Sequence, residues 1–152
     1  MNWWVFGLVF LVIGVVFLLV GLIAAKRAKA AQSWPSLPGN VLRSEVVRHE
    51  STDEDGSSSV SYEPVVEYEY SVMGQPFTAR RIAFGANTFH YKKAAEIAAR
   101  YPAGGRVNVY YNPDKPKDAV LETTASGSKL FIILGAGLLA ATVVVMILEW
   151  LT

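Results

Sequence analysis

A chain of 152 residues has room for one ordinary domain, and an apolar fraction of 52% is high for a soluble one. The absence of cysteine excludes disulfides, zinc–thiolate sites and thiol catalysis, without choosing a compartment. Fourteen Lys and Arg against thirteen Asp and Glu is close to balance, which argues against nucleic acid as a partner.

The apolar residues gather at the two ends. Residues Trp3 to Ala25 carry no charge, and neither do Leu130 to Leu148. As helices these segments reach roughly 34 and 28 Å, against a hydrocarbon core of about 30 Å. Both are expected to cross a lipid bilayer. A cleaved signal peptide is the competing reading of the first, with Ala28-Lys29-Ala30 as a weak cleavage site. No basic residue precedes the run, however, and it is about twice as long as the apolar part of a signal peptide. An uncleaved anchor is expected.

All fourteen basic residues lie between the spans, with Lys26, Arg27 and Lys29 directly after the first and Lys115, Lys117 and Lys129 before the second. The positive-inside rule then predicts a multi-pass protein of the inner (plasma) membrane, its central domain cytoplasmic and both termini outside. Trp3, Trp4 and Trp150 are expected at the outer interface, where indole rings prefer to sit.

Residues 26–38 read as a basic, Ala- and Pro-containing neck, helical to about Gln32 and closed to helix by Pro35 and Pro38. A soluble β-rich domain is expected over 39–123. Its first strand runs from Val41 to Glu50, and Ser51 to Ser59 form a polar hairpin loop. Residues 62–72 alternate most clearly, with Val66, Tyr68, Tyr70 and Val72 on one face and Glu67, Glu69 and Ser71 on the other. Met73-Gly74 turns into a third strand over 75–83.

Asn87 suits the N-cap of a helix from Thr88 to Arg100, with Phe89, Ile97 and Tyr101 on its apolar stripe and Lys92, Glu96 and Arg100 outside. Gly104-Gly105 leads to a fourth strand, Arg106 to Tyr111, and Asn112-Pro113-Asp114 is a turn. Ala119 to Glu122 closes the domain, and Thr123 to Ser128 is a flexible joint. The order β-β-β-α-β-β suits a small sandwich or partly open barrel flanked by two transmembrane helices.

With these residues in view, the chain resembles a family of bacterial two-span membrane proteins, number 3592 in the domain-of-unknown-function series. Trp34-Pro35, Gly39, Val41, Tyr62, Pro64, Tyr68, Tyr70 and Gly74 carry part of the likeness. The more specific part is Tyr101-Pro102-x-Gly104, then Val107-x-Val109-Tyr110-Tyr111-Asn112-Pro113, with Pro116 and Leu121-Glu122 after it. The resemblance implies a fold and no activity. These residue types also have ordinary structural uses, in turns and on the face of a sheet.

No catalytic motif appears, and nothing nominates a catalytic residue, a cofactor or a metal. His49 precedes the acidic run Asp53-Glu54-Asp55, whose spacing does not match an EF-hand loop and reads as a solvated hairpin tip. His90 reads as a solvated helix residue. The spans say more. Gly7, Gly14 and Gly21 recur every seven residues, the stripe of a left-handed helix pair. In the second span Ala136 and Ala140, and Gly137 and Ala141, make small-xxx-small pairs. The sequence leaves the helix partner open: the protein's other helix, another copy, or a different membrane protein.

No charge lies within either span, which weakens a transporter reading for one subunit. The leading expectation is a non-enzymatic scaffold or accessory subunit of the lipid bilayer. It would self-associate or bind another membrane protein through its helices and present a β-domain surface. The alternatives are an oligomeric channel or transport component and a membrane-bound hydrolase or sensor.

Overall fold

A computed structural model describes residues 3–53 and 55–151, with side chains described for 7–53 and 55–147. The side chains of Trp3, Trp4 and Trp150, on which their expected interface positions rest, lie outside the described ones, as does Glu54 of the hairpin tip. The chain opens with helix α1 (Trp3–Ala31) and ends with helix α3 (Ser128–Leu151). Between them lie β1 (Ser36–Thr52), β2 (Ser58–Val72), β3 (Gln75–Ala79), β4 (Phe84–Gly85), α2 (Tyr91–Ala99), β5 (Arg106–Asn112), β6 (Lys115–Val120) and β7 (Ala125–Ser126). Two apolar helices therefore flank a β-rich domain, as the composition of the ends and the middle requires.

At 29 residues α1 reaches about 43 Å, longer than a hydrocarbon core is thick. Residues 26–31 of the expected neck continue this helix, and Ser36 to Pro38 already pair with β5. Gly14, Gly21 and Gly135 are buried between the two helices, whereas most large apolar residues of both spans face outward. That inverted arrangement is suited to lipid, which solvates Leu and Val as well as a protein core does.

The main sheet is antiparallel with strand order β3-β2-β1-β5-β6. It is not a closed barrel. Its edge strands β3 and β6 come near each other but share no backbone ladder. Pro76 and Pro116 sit on those edges, and proline offers no N–H to extend a sheet. Side chains bridge the gap instead: the Tyr70 hydroxyl donates to the Pro116 carbonyl at 2.6 Å, and Arg81 pairs with Asp118.

The alternating face of β2 forms the core. Val66, Tyr68, Tyr70 and Val72 are buried with Val41, Val109, Ala119 and Leu121. The register of β1 against β2 shifts between Val41 and Arg43, a bulge at Leu42 that bends the strand. Beyond it, β1 and β2 run out as a two-stranded ribbon whose tip is exposed. Gly39 lies where strands press together: a Cβ there would meet the Glu69 carbonyl oxygen at 2.6 Å and Val109 Cγ2 at 2.7 Å.

The central helix starts later than the sequence predicts. Phe89 exchanges backbone hydrogen bonds of 2.8 Å with Tyr62, which holds the chain extended as far as His90. His90, not Asn87, occupies the N-cap, and without a side-chain capping bond. Asn87 instead donates its amide to Glu63 at 3.0 Å. The third strand likewise stops at Ala79, and residues 84–85 and 125–126 form a short parallel pair that spacing alone does not reveal. The joint expected at 123–128 thus carries β7.

Candidate functional site

The two membrane helices meet along small residues spaced by seven. A Cβ on Gly21 would lie 3.0 Å from the Ser128 carbonyl oxygen and 2.8 Å from Ile132 Cγ1. One on Gly14 would lie 3.2 Å from the Gly135 carbonyl oxygen, and one on Gly135 2.7 Å from the Leu18 nitrogen. The helices therefore run antiparallel with Gly21 beside Ser128 and Gly14 beside Gly135. Ser128, Gly135 and Thr142 are buried along α3. The Phe17 and Phe131 rings stack at 5.7 Å between these levels.

Neither buried hydroxyl is left unpaired in the apolar surroundings. Thr142 donates to the Leu138 carbonyl at 2.9 Å and Ser128 to that of Ala125 at 3.1 Å. Of the seven residues expected to pack helices, Gly14 and Gly21 lie at this contact. Gly7 is half-buried, with nothing within 4 Å of an added Cβ. Ala136, Gly137, Ala140 and Ala141 lie off it, exposed on the outer side of α3. Sequence reasoning missed Gly135 because Gly135-Ala136-Gly137 offers small residues on adjacent faces. The seven-residue spacing Ser128, Gly135, Thr142 is the signal that singles it out.

The second feature is a cleft of about 870 Å³ where α1 leaves the apolar zone and meets the domain. One face of α1 supplies Val20, Ile23, Ala24 and Arg27, at the i, i+3, i+4, i+7 spacing of a single helical stripe. The segment from Arg80 to Asn87 and residues Thr124 to Ser126 form the walls, and Lys93, Ile97 and Arg100 of α2 and its C-terminus close the far side. The β4–β7 pair fixes those walls against the helix. Ala28, Ala31, Phe84 and Val120 form a buried cluster, with the Trp34 ring edge-on to Phe84 at 6.1 Å.

Five cations and two carboxylates, Glu63 and Glu122, border this cleft. Four of the cations are paired at the surface: Arg80 with Glu67, Arg81 with Asp118, Lys93 with Glu96, and Arg100 with Glu122. Arg27 has no ion-pair partner among the described residues. Glu122 also accepts from the Tyr101 hydroxyl at 2.7 Å. Burial first, and then this bond to a carboxylate, push the Tyr101 phenol well above its ordinary range. Burial does the same to Tyr68, whose hydroxyl donates to the Arg81 carbonyl at 2.8 Å.

Neither histidine lines the cleft, although His49 contacts Glu63, which does. His49 Nε2 lies 2.9 Å from Glu63 on the exposed ribbon, and His90 is exposed at the start of α2. At the hairpin tip, the Asp55 carboxylate accepts the Ser57 N–H at 3.0 Å, which holds its carboxyl below the usual range. Among the described residues no group of three His, Asp or Glu is arranged to hold a metal ion.

The fold is that of a small β domain held between two helices long and apolar enough to cross a membrane. The chain belongs to the family of the domain of unknown function DUF3592, whose profile matches residues 38–126, more than half of its length. That match covers the strands and α2 but not the two spans. A comparison with curated proteins found no match.

Proposed function

We infer that the protein is a non-enzymatic membrane scaffold or accessory subunit. It associates with further copies of itself, or with another membrane protein, through the outer side of α3, and it holds its β domain at the cytoplasmic surface of a bacterial inner membrane as a docking platform. One observation carries this reading. The helix pair consumes Gly14, Gly21 and Gly135, and leaves Ala136, Gly137, Ala140 and Ala141 facing lipid. Small residues let a further helix approach closely, which is the main source of helix association where lipid supplies no hydrophobic drive. The docking of α1 onto Phe84 and Val120 supports it, because a platform must be held rigidly.

The chain has no cysteine, so a single introduced thiol reports one position. Ala140→Cys in native membranes is expected to give a crosslinked dimer or a crosslinked partner, and Val16→Cys, on the outward side of α1, is not. A protein that stays monomeric in mild detergent by native mass measurement, with nothing co-purifying, would count decisively against the reading.

A further inference from the structure

The cleft between α1 and the domain joins two chemistries that rarely share one wall. Its floor, Val20, Ile23 and Ala24, belongs to the uncharged span, and Val20 and Ile23 are 47% and 52% exposed. One turn on, the same stripe ends in Arg27, the cation without a carboxylate among the described residues. The floor therefore crosses the boundary between hydrocarbon and water, and the cation sits at headgroup depth.

The opposite wall adds Arg100 and Lys93. The Lys93–Glu96 pair is exposed and rearranges at little cost when a better anion arrives, and in the Arg100–Glu122 pair the half-buried carboxylate keeps its bond from Tyr101 when the exposed guanidinium turns away. A guanidinium offers a planar fork of donors that suits phosphate oxygens.

We propose that this cleft binds one anionic phospholipid from the surrounding bilayer. The acyl chains lie along Val20, Ile23 and Ala24, and the phosphate is held by Arg27 with Arg100 opposite. A free phosphate would gain nothing from the apolar floor, and a zwitterionic lipid would bring its own cation against Arg27. The charge and the floor together select an anionic lipid. This assignment does not depend on self-association through α3.

The test uses the full chain in mild detergent, with bound lipid counted by native mass spectrometry. Phosphatidylglycerol and phosphatidylcholine of identical acyl chains are titrated separately, with glycerol 3-phosphate as the chain-free probe. Phosphatidylglycerol is expected to be retained at a stoichiometry of one, and Arg27→Gln to weaken it about tenfold, as loss of one charge-assisted contact does. Ile23→Ser removes part of the floor without touching the charge, and is also expected to release the lipid.

Lys29→Gln is the control, because Lys29 lies on the same helix two residues beyond Arg27 but outside the cleft. Equal retention of the two lipids would overturn the proposal. So would an equal loss in Lys29→Gln and Arg27→Gln, which marks diffuse attraction to basic residues. Binding of glycerol 3-phosphate as tight as that of the lipid would overturn it too, since the acyl chains would then contribute nothing.

Discussion

Gly14 and Gly135 face each other so closely across the membrane helices that a Cβ on Gly135 would stand 2.8 Å from the Gly14 carbonyl oxygen. Backbone meets backbone at this level, and no flexible side chain is available to move aside. The dispersion contact between two helix backbones replaces the hydrophobic drive that lipid cannot supply.

Gly135→Leu is therefore expected to force the helices apart and to destabilise the protein by about 1–3 kcal/mol, the usual cost of overpacking a close contact. Val16→Phe, on the outward side of α1, is expected to leave thermal stability in detergent unchanged. Comparing the two melting curves checks the register. Equal losses would show that the helices pack on another face.

A soluble-domain counterpart is Gly39→Ala. The new methyl would strike the Glu69 carbonyl oxygen and Val109 Cγ2, both well inside ordinary contact distance. Spreading β1 from β2 or β5 is expected to cost about 1–3 kcal/mol. Hydrogen exchange would report it as lost protection at Tyr70 and Val107, which pair with Gly39 on either side.

Tyr68 is wholly buried and its hydroxyl donates to the Arg81 carbonyl. Tyr68→Phe keeps the ring and removes the donor, with an expected loss of about 1–2 kcal/mol. Tyr62 has no side-chain hydrogen bond among the described residues, so Tyr62→Phe should change chemical denaturation by much less.

Alkaline conditions should unfold the domain. The Tyr68 and Tyr101 phenols have folded pKa values raised above the ordinary 10, by burial first in both cases. The folded state thus holds its phenolic protons where the unfolded chain gives them up. Stability from this source is complete below pH 10 and falls as pH climbs toward the folded values. Near-ultraviolet tyrosinate absorbance and loss of sheet circular dichroism are expected to rise together above that pH. Ionisation of these buried tyrosines in a still-folded domain would contradict the burial argument.

How much of this could be read in advance varied along the chain, for physical reasons. The spans were legible because some twenty uncharged residues have one stable solvent. Tyr62 to Val72 was legible because one face of a half-buried strand repeats every second residue. The helix start was not, because Phe89 is held by Tyr62, a partner 27 positions away that no local rule contains. Two-residue strands such as Phe84–Gly85 are too short to show any period. Small residues in α3 were visible as a class, but their phase around the helix depends on where α1 lies. The cleft was invisible for a related reason: Ile23, Phe84, Arg100 and Ser126 come from separate segments, and only the folded chain brings them to one wall.

Helix α1 runs without a break from the apolar zone to Ala31, where its last turns are wedged against Phe84 and Val120. The span and the sheet consequently share one rigid shaft. If bilayer thinning tilts that shaft, or a neighbouring helix twists it, the movement is passed to β4 and β6 through the buried contact of Ala28 and Ala31 with Phe84 and Val120.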